Sequence, residues 1–361
     1  VKDARTERLS LHTRATLRIG PVSAVLRPLT LLVPLAVAAA LATALVIGTG
    51  RGDFPIPVLD VARVLLGGGT ESQRLVVLHF RMPRALTGVF VGAALGLAGA
   101  IVQGVARNPL ASPDLLGVTA GAATGAVAVI VLGGEYGGVG GAAATIGVPA
   151  AAIAGGLAAA GIVHLLAVRR GLAGFRLLLI GAGVQAVLSS VVSWLLIKAS
   201  IVDAGRAVLW LTGSLNGASW DSARAVGWAL LVLLPAVGAL SFTFGALTFD
   251  DDTVRGLGVR ATGARGGLLV AAVLLTATAT AAAGPVAFVA LAAPQLALRL
   301  ARTPIPPLFT SALVGATLTV TADLLGRTAF GSIELPVGIL TAALGAPYLL
   351  YLLVTGGKDR A

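Results

Sequence analysis

Cysteine is absent from the 361 residues, and charged residues make up only 11% of them. The first absence excludes disulfides, iron–sulfur clusters and thiolate metal sites. The second excludes an ordinary soluble domain, in which about 25% of residues are charged. Histidine is nearly missing: His12, His79 and His164 are scattered and form no ligand cluster. No G-x-x-x-x-G-K-[ST] loop occurs, and the C-terminal "GGKDR" lacks its spacing and context. Within the apolar runs the main ionisable candidates are Asp323 and His164, both near run ends. Ion-coupled carriers hold acidic groups at mid-membrane, and no such group is evident. Ser189, Ser190 and Ser193 have no histidine or lysine at the same depth, so the nucleophile–base pair of an intramembrane hydrolase is not evident either. Uphill movement of a solute by this chain would therefore draw its energy from another subunit.

What is present is apolar. The hydrophobic fraction is 57% and the mean hydropathy is +0.96. So few charges could not cover the surface of a soluble fold of this size. A bilayer removes that requirement, and runs of about 20 apolar residues can cross it. The sequence is that of an integral, polytopic, all-α membrane protein, because backbone groups in lipid must bond within their own segment. Spans are predicted at 29–48, 85–106, 114–132, 142–168, 177–197, 222–244, 267–283, 285–301, 308–326 and 337–354, about ten in all. The polar stretch before the first span leads straight into a run of full membrane length, which is not the pattern of a cleaved signal.

Net charge is +11. In a soluble protein that would suggest nucleic acid. Here the basic residues lie between apolar runs, so no nucleic-acid partner is expected, and the charge reads as topology and contact with anionic headgroups. With the N-terminus inside, most of the 26 Lys+Arg fall in cytoplasmic segments, among them Arg107, Arg169, Arg170, Arg255, Arg302 and Lys358. Both termini are then cytoplasmic. Arg81, Arg84 and Arg327 face outward, against the topology signal. Anchoring to headgroups by snorkelling is one reading of them. A dedicated contact is the other.

Glycines recur every fourth residue at Gly88, Gly92 and Gly96, and again at Gly117, Gly121 and Gly125. That spacing lays a smooth strip on one helix face and lets backbones approach closely. It is a packing signal rather than a phosphate loop. In the fifth span Gln185, Ser189 and Ser193 are spaced four apart and share a face. Interhelical hydrogen bonding and the lining of a pathway both fit that stripe. The segment "FDDDTVRGLGVRATGARG", 249–266, is the longest polar connection on the cytoplasmic side. Asp250, Asp251 and Asp252 suit a helix start.

Several long motifs, in order, resemble the FecCD-type permeases, subunits of bacterial ABC importers for iron–siderophores, haem and vitamin B12. "RMPRALTGVFVGAALGLAGAIVQGVARNPLASPDLLGVTAGAATG" is similar to the family's first signature. "FRLLLIGAGVQAVLSSVVSWL" and "VLWLTGSLNGASW" match the central region, and "ADLLGRTAFGSIELPVGILTAALGAPYLLYLL" resembles the C-terminal signature. In "GPVAFVALAAPQLALRLA" the family usually has a glycine and a histidine where this chain has Ala290 and Gln295.

The resemblance implies a type II ABC importer permease fold, like that of the vitamin B12 permease. Residues 1–28 would be a cytoplasmic basic segment and 29–356 the transmembrane domain. It implies a second permease subunit, identical or related, two cytoplasmic ATPase subunits and an extracytoplasmic substrate-binding protein. The chain would bind no cofactor and catalyse no reaction; ATP and Mg would sit in the partner ATPase. Its place would be the bacterial cytoplasmic membrane, and its cargo a ferric siderophore, with vitamin B12 or haem as alternatives. An ion-coupled secondary carrier or an intramembrane enzyme is the reading from another class.

By motif position, Arg81, Arg84 and Arg327 would receive acidic residues of the binding protein. Guanidinium suits that task, since it stays charged and matches carboxylate with two parallel donors. Asp251, Asp252, Val254, Arg255, Leu257 and Gly258 would form a coupling helix for the ATPase, with valine where the family often has alanine. Asn108 and Leu110 would contribute to the cytoplasmic gate, opposed by Gly174 and Phe175. The Gln185, Ser189 and Ser193 face would line the pathway.

Overall fold

The computed structural model describes residues 16–19, 22–25, 28–52, 54–133, 147–168, 174–247, 251–256, 261–331 and 333–356. A small antiparallel hairpin, β1 (Thr16–Ile19) and β2 (Val22–Val25), comes first. All other regular structure among the described residues is helical. The helices are α1 (Pro28–Gly50), α2 (Val58–Leu65), α3 (Glu71–Arg74), α4 (Met82–Ala106), α5 (Val118–Leu132), α6 (Val148–Val168), α7 (Gly174–Lys198), α8 (Ile201–Leu211), α9 (Trp220–Ala246), α10 (Asp251–Gly256), α11 (Ala261–Ala283), α12 (Val289–Ala301), α13 (Leu308–Thr328) and α14 (Val337–Gly356). A π-helical stretch, Leu75–Arg81, joins α3 to α4, and a 3-10 turn, Pro113–Leu116, precedes α5.

Among the described residues, seven helices are long and apolar enough to cross a membrane, and three shorter apolar ones accompany them, in α5, α12 and α14. They fall in order on the ten expected spans. The eighth span is shorter than expected: its helix begins at Val289, not 285, and has 13 residues. Gly284 (φ 70°) and Phe288 (φ 64°) adopt left-handed backbone, which ends one helix and delays the next. Irregular backbone at membrane depth survives only where protein satisfies it. Here Ser214 N–H donates to the Ala283 carbonyl at 2.8 Å, and Gly338 N–H donates to the Gly213 carbonyl at 2.9 Å. The short helices α2 and α8 lie between spans and carry exposed Leu59 and Ile201.

The fold is organised around α4. Its most apolar stretch is 72% buried, against 6% for α1 and 11% for α7. α9, α11, α12 and α13 surround it. The glycine strip explains the fit. A Cβ at Gly92 would overlap the Gly315 carbonyl, and one at Gly96 the Ser311 carbonyl, so α4 and α13 touch backbone to backbone. Gly121 and Gly125 do the same against Gly155 and Ala151, which joins α5 to α6. Outer faces expose Leu35, Ile197, Trp228 and Leu231. That surface suits lipid rather than water.

A polar pair sits inside the bundle. Gln295 on α12 donates from Nε2 to Gln103 Oε1 at 2.7 Å, and Gln103 Nε2 donates to the Leu291 carbonyl at 3.0 Å. Both glutamines are buried. Each amide so paired avoids the penalty of an unmet buried group.

Candidate functional site

At one end of the bundle Arg81, Arg84 and Arg327 converge. Arg81 and Arg84 sit three apart where the π-helical stretch meets α4, so they share a face. Arg327 lies on the last turn of α13. They do not stand free in the aqueous phase. Arg84 donates from Nε (3.1 Å) and Nη2 (2.9 Å) to Asp323 Oδ1. Arg327 donates from Nε to Asp323 Oδ2 at 3.1 Å. One carboxylate thus holds two guanidiniums, and the three side chains are only 15%, 14% and 7% exposed for Arg84, Arg327 and Asp323. The outer Nη1 of Arg84 donates to Glu334 Oε2 at 3.2 Å, and Glu334 is 48% exposed.

The same cluster closes α1. A helix leaves its last four carbonyls without partners. Arg327 Nη2 donates to the Gly48 carbonyl at 3.5 Å and Arg81 Nη1 to the Thr49 carbonyl at 2.8 Å. Arg81 Nη2 reaches on to the Phe54 carbonyl. Cations at a helix C-terminus also oppose its dipole favourably. These three arginines therefore lock α1, α4 and α13 together, and a small cleft between these helices is lined by Arg81, Arg84, Asp323 and Arg327. The sequence singles out the arginines and Asp323 but not their pairing, and it gives no sign of Glu334. The Asp323–Arg327 spacing of four was the available signal. The Arg84–Asp323 pair, 239 residues apart, gave none.

The opposite end carries the turn after α4. Arg107 is left-handed (φ 51°) and ends that helix. Asn108 Oδ1 accepts from Leu110 N–H at 2.9 Å, and Asn108 O accepts from Ala111 N–H at 3.1 Å, which fixes a tight turn. Asp114, in the 3-10 turn, accepts from Thr119 Oγ1 and from Ser112 Oγ. Burial pushes its carboxyl above the usual range, and those two hydrogen bonds only partly oppose the rise. Arg107 Nε donates to the Leu247 carbonyl at 3.0 Å, so this turn is tied to the end of α9.

Just beyond lies α10, which starts at Asp251 and includes Asp252, Val254 and Arg255. Val254 is fully buried in the main core, so it anchors the segment from within. Leu257 and Gly258 lie outside the described residues. Gly174 and Phe175 form the start of α7, whose helix begins three residues before the expected span. α7 meets the 3-10 turn where a Cβ at Gly181 would overlap the Leu115 carbonyl.

Gln185, Ser189 and Ser193 are exposed on the outer face of α7. Ser193 Oγ donates to the Ser189 carbonyl at 3.0 Å and Ser190 Oγ to the Ala186 carbonyl at 2.9 Å. These hydroxyls are satisfied by their own helix, not by a neighbouring one. Among the described residues no group of three or more His, Asp or Glu could hold a metal ion.

The described residues thus hold ten apolar helices, one of them the buried, glycine-lined α4, with an ionic lock at one end of the bundle and a polar turn at the other. The sequence matches the FecCD transport family over residues 38–355, and the chain belongs to that family. It is 38% identical over 313 residues to the ferric enterobactin transport system permease FepG of Escherichia coli (strain K12), covering 87% of this chain and 92% of that one. It is 39% identical over 317 residues to the siderophore transport system permease YfhA of Bacillus subtilis (strain 168), covering 86% and 91%. Among solved structures, an inward-facing metal-chelate type ABC transporter superposes with a TM-score of 0.75 at 27% identity, covering 89% of this chain and 98% of that one. The protein is a multi-pass membrane permease of the ABC-transporter type.

Proposed function

We propose that the chain is the permease subunit of an ATP-driven importer that carries a ferric siderophore across the bacterial cytoplasmic membrane. The observation that carries this reading is the near full-length match to siderophore permeases at 38% and 39% identity. Both termini would face the cytoplasm, residues 1–28 forming a basic cytoplasmic segment and 29–356 the transmembrane domain. The iron is cargo inside its chelate, so the chain needs no iron ligands. ATP and Mg belong to two partner ATPase subunits.

In this reading a second permease subunit packs beside the exposed α7. The mildly polar stripe of Gln185, Ser189 and Ser193 then lines the shared pathway, where a bulky chelate slides without being held. Asn108 and Leu110 narrow its cytoplasmic end. The segment 249–266, with α10 in it, meets the ATPase, and the buried Val254 makes α10 rigid enough to pass on a displacement. The Arg107–Leu247 bond ties the gate turn to the end of α9, two residues before the coupling segment. At the outer end Arg81, Arg84 and Arg327 receive the acidic surface of the binding protein, where charge complementarity speeds encounter and fixes orientation.

Uptake by the assembled transporter in proteoliposomes tests the cargo. Ferric siderophores should accumulate and compete with one another, while vitamin B12 and haem should neither enter nor compete. Accumulation of B12 or haem instead would move the chain to that branch of the family.

A further inference from the structure

We infer that Glu334 is an internal stand-in for the binding protein's carboxylate: it covers the outer edge of Arg84 in the undocked permease and is displaced on docking. The inference rests on the docking reading above.

The geometry of Arg84 divides its donors between two acids of unequal burial. Nε and Nη2 both point inward to Asp323 Oδ1, which is 7% exposed and also held by Arg327. That edge is unavailable to any partner. Nη1 points outward and is met by Glu334 at 3.2 Å. Glu334 is 48% exposed and lies on the connection between α13 and α14. The next residue is pinned, since Leu335 N–H donates to the Gly326 carbonyl at 3.0 Å. Glu334 is thus held at the rim while its carboxylate remains open to solvent.

A carboxylate arriving from outside meets the same Nη1 edge. There it competes with Glu334 for Nη1, and the like charge of the two carboxylates favours the departure of the more exposed Glu334. Exposed ion pairs contribute little, so Glu334 yields easily, whereas the inner pair with Asp323 does not. The arrangement keeps a low-exposure guanidinium paired until the partner arrives, and the partner replaces that pair at small cost. Asp323 acts as a positioning residue, fixing the planes of Arg84 and Arg327 from behind.

The test uses the full transporter in nanodiscs and its binding protein, with Kd and association rate measured by biolayer interferometry. Glu334→Gln removes the charge and keeps the shape; it should tighten docking about two- to fivefold, the worth of one exposed pair. Glu334→Ala should act in the same direction. Arg84→Ala should weaken docking, and in that background Glu334→Gln should have no effect. Asp221→Asn is the control: Asp221 is an exposed acid at the same end, beside Trp220, whose Nε1 donates to the Leu78 carbonyl. It should change Kd less than Glu334→Gln does. No gain in either Glu334 variant, a gain that persists without Arg84, or an equal gain in the control would each overturn the inference while leaving the docking arginines in place. If Arg81→Ala, Arg84→Ala and Arg327→Ala all leave Kd unchanged, the docking reading itself falls, and the inference with it.

Discussion

Asp323→Asn is the sharpest perturbation of the outer lock. The side chain is 7% exposed and is the shared acceptor of Arg84 and Arg327, themselves 15% and 14% exposed. Neutralising it leaves two little-exposed guanidiniums with only the half-exposed Glu334 nearby. Removing one member of a buried ionic group costs about 3–5 kcal/mol, chiefly because the remaining charges lose their compensation. The loss also loosens the end of α1, because Arg327 no longer holds its donor near the Gly48 carbonyl. A thermal melt in detergent, followed by size-exclusion of the surviving fraction, should show a midpoint roughly 5–10 °C below wild type. Replacing the whole triad (Arg84→Met, Asp323→Leu, Arg327→Met) should recover much of that stability, since no buried charge is then left alone. It should still abolish binding-protein docking. If Asp323→Asn melts with wild type, or the triple variant melts below it, the lock does not work as argued.

Other outcomes follow from local geometry. Gly96→Val places a side chain on the Ser311 carbonyl and should prevent α4 and α13 from closing, with loss of folded protein on purification; Gly183→Ala, with open space around it, should be neutral or gain about 1 kcal/mol. Gln295→Leu leaves Gln103 Oε1 buried without its donor and should cost about 1–3 kcal/mol in chemical unfolding, most of which Gln103→Leu in addition should restore. Asp114 has a raised folded-state pKa, so the native state binds more protons than the unfolded state between the ordinary value of 3.8 and the raised one. Its contribution therefore favours folding at low pH and is lost as pH rises through that window. Asp114→Asn should flatten this decline in a pH series of melts.

Much of the fold could be read from the residues, because its determinants are periodic and local. Apolar run length located the seven helices long enough to cross and the three shorter apolar ones, and the four-residue glycine repeats named the faces where α4 meets α13 and α5 meets α6. Two features escaped for physical reasons. The late start of α12 depends on left-handed backbone at Gly284 and Phe288, and phenylalanine gives no warning of such a turn. The helices α2 and α8 are too short for a span pattern, with 8 and 11 residues. At the outer site, charge counting singled out Arg81, Arg84 and Arg327 but could not show that Asp323 and Glu334 face them, since α4 and the α13–α14 connection are brought together only by folding. The buried Gln103–Gln295 pair was hidden for the same reason. The placement of Val254 inside the core also depends on tertiary packing, which a polar connection does not reveal.

The central claim is that this chain is a conduit driven by a separate motor. Proteoliposomes containing the purified permease alone, or the permease with its ATPase and binding protein, can be loaded with labelled ferric siderophore under matched ion gradients. Accumulation should occur only in the assembled complex, should require hydrolysable ATP, and should be indifferent to proton and sodium gradients. Accumulation by the permease alone, driven by an ion gradient, would contradict the account.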